Sequence, residues 1–291
     1  MGFDMQEALS LKRIFILLLV CLFGVHFMAQ EDTLVLGVFP QRNEEITFKL
    51  YSPFTSYLSK KMGRNIRLDI SKDFDSFWYK MENDLFDIVH CNGYQYLVAH
   101  KKYNFHLLGV IKRHGRTTMT GTIIVRKDSG INSIADLQGK EIVFGGGLES
   151  SRCGIIAKKL LLDGGLSPQH YRNKFALSPP NAALAVYLQQ VDAAGISDDM
   201  LESDFILRRM DLSQIRVLAR GQQYIHLPWA CSNRVDPELR ASIQAILLSM
   251  NENPEGREAL NTANYDAIVF ADDSDFNSFR EAVFQVNGEH Y

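Results

Sequence analysis

Residues 141–165 read EIVFGGGLESSRCGIIAKKLLLDGG, and their order decides the fold. Ile142, Val143 and Phe144 predict a short strand, the three glycines after them a tight turn, and Ser150 and Ser151 the head of an amphipathic helix that stops at Gly164 and Gly165. Such a turn suits an anion. The first helical N–H groups have no intrahelical partner, the helix dipole adds partial positive charge there, and glycine lets a ligand approach the backbone. Ser150, Ser151 and the neighbouring amides are therefore candidate ligands for a phosphate-like or carboxylate group. Plain N-capping by serine accounts for the same residues and stands as the competing reading. Two sharper motifs are excluded: a Walker loop needs Gly-Lys-Ser/Thr where the chain has Ser-Ser-Arg, and a dinucleotide fingerprint needs glycine where Ser150 stands.

The same alternation runs outward on both sides. Residues 33–39 (TLVLGVF) predict a strand ending in the polar loop Pro40-Gln41-Arg42-Asn43, and Ser52-Pro53 predicts a helix start. A strand at 66–70, a helix at 76–83 and a strand at 86–90 follow, the last turning at Cys91-Asn92-Gly93 into the helical run YQYLVAHKK. In a parallel sheet, ligands bind outside the carboxyl ends of the strands, so the turns at Gln41, Asn92 and Ser150 are expected to converge. Tyr94 and Tyr96 stand at the mouth of the second turn, where a phenol can meet an anion or pack in the core. Lys112-Arg113-His114-Gly115-Arg116 reads as a solvated basic loop. Beyond it come an extended segment at 118–126, strands at 174–177, 193–196 and 215–219, a helix at 182–190, and a second extended segment at 226–233 interrupted by Pro228. Helices at 237–250, 254–261 and 275–286 close the chain. This pattern predicts an α/β fold with parallel strands. The extended segments near 120 and 230 are candidate crossings between two lobes, one built from 31–118 plus 227–291 and the other from 119–226.

At 46% hydrophobic and 22% charged, with a net charge of −3, the composition is globular, and no basic tract marks a nucleic-acid partner. Residues 1–30 carry Lys12 and Arg13 before an apolar run and end near Ala29, the order of a secretory signal; an uncleaved anchor is the alternative. The run falls short of the roughly 20 apolar residues a spanning helix wants. None of the four cysteines has metal-ligand spacing; free buried thiols are expected at Cys91, Cys153 and Cys231, with one disulfide among them as the alternative. No metal or cofactor motif is present in the sequence.

Several segments together resemble a family. TGTIIVRKDSGINSIADLQGKEIVF, a Gly/Ser turn, NAALAVYLQQVDAAGISDD, and DPELRASIQAILLSMNENPEGREAL occur in the order seen in phosphate-, phosphite- and phosphonate-binding subunits of ABC transporters, which are type 2 periplasmic binding proteins. The resemblance covers about residues 33–285 and implies a two-lobed architecture with a hinge of two crossing segments. It implies that the family's ligand turn falls on Glu149, Ser150, Ser151, Arg152 and Cys153, keeping two hydroxyls while Arg152 replaces a glycine. The tyrosine of the family's second turn falls on Tyr96, a frequent histidine position falls beside Asn181, and an acidic position falls on Ser197 with Asp198 next to it. These departures leave an oxyanion pocket partly kept and the residues that would read an amine-bearing tail altered.

The expected function is capture of a small oxyanion between the lobes, with Ser150, Ser151 and helix amides on one side and Tyr51, Tyr96 and the Gln41 loop on the other. A periplasmic monomer would then present its closed form to an ABC permease or, alternatively, to a membrane-bound histidine kinase. For catalysis, Ser151 or Cys153 as nucleophile and His90, His114 or His226 as base are the only candidates, and no hydrolase motif surrounds them.

Overall fold

The structure is a computed structural model and describes residues 33–40, 42–146, 154–176 and 178–291. The leader, Gln41, and the turn carrying Ser150, Ser151, Arg152 and Cys153 lie outside the described residues. Strand β1 (Leu34–Val38) leads into helix α1 (Glu44–Met62), then β2 (Ile66–Ile70), α2 (Phe74–Glu82), β3 (Ile88–His90), α3 (Gly93–Tyr103) and β4 (His106–Lys112). Next come β5 (Thr118–Arg126), β6 (Glu141–Gly145), α4 (Ile156–Asp163), β7 (Arg172–Ala176), α5 (Pro179–Tyr187), β8 (Ala193–Ser197) and β9 (Ile215–Ile225). The chain ends with β10 (Pro228–Cys231), α6 (Pro237–Leu248), α7 (Pro254–Thr262), β11 (Ala267–Val269) and α8 (Asn277–Asn287).

Two sheets form, in the orders β11-β4-β10-β3-β1-β2 and β7-β6-β8-β5-β9. The expected parallel arrangement holds for β1 with β2 and β3, and for β6 with β7 and β8. Strands β5, β10 and β11 run against their neighbours, so both sheets are mixed. The fold is α/β, as the sequence predicts. The second sheet is covered on both faces. Ile123, Val125, Ile142 and Phe144 pack under α4, while Ile124, Val143, Ala194 and Ile196 pack with Ala182 and Val186 of α5. Coverage of both faces is why residues 122–125 read as an unbroken apolar run rather than an alternation.

Three element boundaries differ from the sequence reading, each for a local reason. Helix α1 starts at Glu44, not at Ser52, because Asn43 accepts from the Ile46 N–H at 2.9 Å and Glu44 and Glu45 fill the first turn. Its buried stripe, Thr47, Tyr51, Phe54 and Leu58, keeps helical spacing straight through Pro53. Asp73, not Ser76, caps α2: its carboxylate accepts from the Ser76 N–H at 2.8 Å in a reciprocal capping box. Strand β9 continues to Ile225, past the end at Ala219 that the sequence predicts. It lies at an edge of the second sheet, where polar side chains face water. Strand β11, at the far edge of the first sheet, was not foreseen. Cys91 and Cys231 are free and buried, and burial pushes the Cys231 thiol up to about 12. Among the described residues, no helix is long and apolar enough to cross a membrane.

Candidate functional site

The register of the strands fixes where a ligand can sit. Strand β10 is antiparallel to both β3 and β4, so β4 points the same way as β1, β2 and β3. Strand β5 is antiparallel to both β8 and β9, so β9 points the same way as β6, β7 and β8. The chain leaves the first sheet at Lys112, the carboxyl end of β4, and returns from Ile225, the carboxyl end of β9. Both carboxyl edges therefore open toward the same two connections, 113–117 and 226–227, which are tied together by the His226 N–H donating to the Thr117 carbonyl at 2.9 Å. Loops at those edges are the loops that can close on a ligand.

The first connection is built as a turn. His114 and Gly115 have φ of 50° and 73°, and Arg113 and Arg116 exchange backbone hydrogen bonds at 2.9 and 3.0 Å. Two successive left-handed residues match the twist of a tight hairpin. The Gly115 N–H donates to Asp266 at 2.6 Å, fixing the turn to the loop before β11. Its arginines are not free surface charge, contrary to the sequence reading. Arg113 donates to Asp199 at 3.3 Å and lies over the Tyr265 ring at 5.1 Å; Arg116 donates to Asp198 at 2.8 Å. Asp198 also accepts from the Thr120 N–H at 3.3 Å, and the Ser197 hydroxyl donates to Asp199 at 2.5 Å. Ser197 and Asp198, singled out from the sequence, thus stand with Arg113, Arg116 and Thr120 at the carboxyl end of β8.

Tyr51 belongs to a second, buried group at the carboxyl end of β3. His90 is fully buried; its Nδ1 lies 3.0 Å from the Pro228 carbonyl and its Nε2 2.9 Å from the Tyr265 hydroxyl. A carbonyl only accepts, so Nδ1 carries the proton in the neutral ring. Nε2 then accepts from Tyr265, whose oxygen accepts from Tyr51 at 2.6 Å. Burial first, and then the neighbouring Tyr265, hold the Tyr51 phenol well above the ordinary tyrosine range. Arg113 touches Tyr265 on one side and Asp199 on the other, and so joins this group to the one at β8.

The other candidates are placed differently. Asn92 caps α3, accepting from the Gln95 N–H at 2.9 Å. The Tyr94 hydroxyl lies 3.3 Å from that of Tyr291, with Trp78 packed edge-on against its ring. Tyr96 is fully buried and donates to Asp273 at 2.7 Å. Asn181 is exposed in the first turn of α5. At the start of the helix after the glycine turn, Ile155 and Ile156 are buried, and Ile156 presses on Gly121, where a Cβ would lie 2.8 Å from its carbonyl. Sequence reasoning missed Arg113, Arg116, Tyr265 and Trp229. The left-handed His-Gly pair was the one available signal, and it marked a turn rather than loose surface.

The Tyr96 partner gives a test of its own. Burial works to raise the Asp273 carboxyl, but donors from Tyr96 and from Arg280, whose Nη2 reaches the two carboxylate oxygens at 2.6 and 2.7 Å, outweigh it and hold its pKa low. A carboxylate depressed in the folded state stabilises above its unfolded pKa, and that stability is lost as pH falls through the folded value. Asp273→Asn is expected to cost about 1 kcal/mol at pH 7, discounted for partial exposure, and less than that at pH 3, below the unfolded carboxyl range. Urea midpoints at the two pH values check this.

Among the described residues no group of three His, Cys, Asp or Glu side chains is placed to hold a metal. Residues 36–276 match the family described as ABC transporter, phosphonate, periplasmic substrate-binding protein. Solved structures agree in fold. PhnD1 from Prochlorococcus marinus, in complex with methylphosphonate, superposes with a TM-score of 0.76 at 16% identity, over 89% of this chain and 100% of that one. A Xanthomonas citri protein bound to ATP gives 0.75 at 18% identity, over 88% and 97%. A binding protein component of an ABC phosphonate transporter from Pseudomonas aeruginosa gives 0.73 at 16%, over 88% and 87%. With the match running over most of the chain and the facing carboxyl edges already in place, the chain belongs to the family of periplasmic phosphonate-binding subunits of ABC transporters.

Proposed function

We propose that the protein captures a small phosphorus oxyanion of the phosphonate, phosphite or phosphate class between its two sheets and hands it to an ABC permease. The observation that carries this reading is the opposition of the two carboxyl edges across connections 113–117 and 226–227. Lobes of 31–118 plus 227–291 and of 119–226 would hinge there. Ser150, Ser151 and the adjacent amides would supply the donors, since charge-assisted hydrogen bonds in a closed, dry site are each worth about 1.5–3 kcal/mol. Arg152 and the Gln41 loop would add donors at the rim, and Tyr51 would form part of the opposing wall. The protein binds and releases its ligand without transforming it. It acts as a monomer, and segment 1–30 directs export to the periplasm.

Calorimetric titration with methylphosphonate, phosphite and phosphate tests the reading. At least one is expected to bind, and Ser151→Ala is expected to weaken it by about tenfold or more, equivalent to about 1.4 kcal/mol. Silence toward all three ligands would reject it.

A further inference from the structure

We infer that the Arg113–Arg116 hairpin is a latch: rooted on the first sheet, it grips Asp198 and Asp199 of the second across the pivot and biases the two sheets toward this juxtaposition independently of any ligand. Backbone hydrogen bonds locate the pivot. On the outward connection, Arg113 and Arg116 exchange hydrogen bonds at 2.9 and 3.0 Å and the Gly115 N–H donates to Asp266, so the hairpin as far as Arg116 moves with β4 and the loop before β11. Thr118 already pairs with Ile225 in the ladder of β5 and β9, and the bond from the His226 N–H to the Thr117 carbonyl extends that ladder by one rung. On the return, the Ile111 N–H donates to the Leu227 carbonyl at 3.0 Å, which places Leu227 with the first sheet. The chain therefore bends between Arg116 and Thr117 and between His226 and Leu227, the joints between the two hydrogen-bonded blocks.

Both arginines reach over those joints. Arg113 is held on the first sheet's side by the Asn264 carbonyl, 3.1 Å from Nε, and by the Tyr265 ring, while its Nη1 donates to Asp199 at 3.3 Å. Arg116 donates to Asp198 at 2.8 Å. The acids are oriented by their own sheet, Asp198 by the Thr120 N–H at 3.3 Å and Asp199 by the Ser197 hydroxyl at 2.5 Å. Groups already in place lose little freedom when a guanidinium arrives, so more of the charge-assisted attraction survives as net binding. The two acid side chains are only 7% and 9% exposed, so water and salt screen these pairs less than pairs on open surface. At 3.3 Å the bond from Arg113 to Asp199 stands near the limit of hydrogen-bond geometry, and a small rotation of one sheet about the joints breaks it. Separating the sheets forfeits the pairs, and that difference in free energy between the two arrangements is what a population shift requires.

X-ray scattering from the ligand-free protein reads the latch whatever the cleft binds. Arg113→Gln and Asp199→Asn, each checked for folding by circular dichroism, are expected to raise the radius of gyration, and the double variant to raise it no further than the larger single shift, because all three lose the same contact. Arg116→Gln removes the second pair and is expected to give a shift of the same sign, which keeps the test open where Arg113→Gln does not fold. A calorimetric arm rests on the phosphonate reading: Arg113→Gln is expected to bind methylphosphonate about threefold or more weakly, since a smaller share of molecules starts in the competent arrangement, while saturating methylphosphonate returns its radius to that of the parent. An unchanged radius of gyration in the folded ligand-free variants overturns the latch, whatever the affinities. Failure of the unaltered protein to bind methylphosphonate counts against the phosphonate reading alone, and the scattering result then decides the latch by itself.

Discussion

Trp229→Ala is expected to lower stability by about 3–5 kcal/mol, a large part of the 5–15 kcal/mol typical of a folded chain. Trp229 is fully buried in the middle of the first sheet, stacked between His90 at 4.7 Å and Phe54 at 5.2 Å, both at 21°. Removing the indole empties the space between β10 and α1 and withdraws the surface against which His90 is held. The loss should appear as a fall in melting temperature of about 10 °C, at roughly 2–4 °C per kcal/mol for a chain of this size. Trp229→Phe separates packing from polarity. The indole Nε1 is buried with no hydrogen-bond partner, so replacing it with a ring that has no N–H leaves nothing unpaired and should cost far less. Because Trp229 follows the return connection directly, the alanine variant should also weaken oxyanion binding. An alanine variant within about 1 kcal/mol of the parent would show that this aromatic stack does not hold the sheet.

The elements legible from sequence were those whose signal is local. Apolar runs at 34–38, 88–90, 122–125 and 142–144 marked buried strands because nothing else in the chain concentrates branched side chains so tightly. Glycine and proline marked helix ends, as at Gly63, where φ is 65° and the N–H donates to Ser59. What escaped was set by distant partners. The His90–Tyr265 hydrogen bond spans 175 positions, and the Arg116–Asp198 pair spans 82. No spacing rule connects residues so far apart, and a basic loop looks the same whether its charges meet water or carboxylates. Ser197 and Asp198 were noticed through the family resemblance, but the arginines that hold Asp198 and Asp199 emerged only once antiparallel β5 brought the turn beside β8. At Asn92 the turn that the sequence predicts is the N-cap of α3.

Gly145→Ala is the second substitution expected to act strongly, and its reason is space rather than backbone freedom. Gly145 ends β6, and a Cβ there would lie 2.2 Å from Pro179 Cα, 2.5 Å from Pro179 N and 2.9 Å from the Ser178 carbonyl carbon. All three are backbone atoms at the head of α5, so no side-chain rotation relieves the clash; the strand end and the helix start must move apart. Overpacking of this kind costs typically 1–3 kcal/mol and more when only backbone can yield, so a loss of about 3 kcal/mol is expected. Gly221→Ala supplies the control: its nearest neighbour would be the Gly121 carbonyl oxygen at 3.5 Å, ordinary contact, and its stability should stay within about 0.5 kcal/mol of the parent. Urea unfolding of the two variants side by side measures the difference. Displacing the end of β6 also displaces the chain that leads from it toward Ser150 and Ser151, so Gly145→Ala should lose oxyanion affinity by about tenfold or more even where it remains folded. If it unfolds at the same urea concentration as Gly221→Ala and binds as the parent does, then β6 and α5 do not meet as closely as these contacts require.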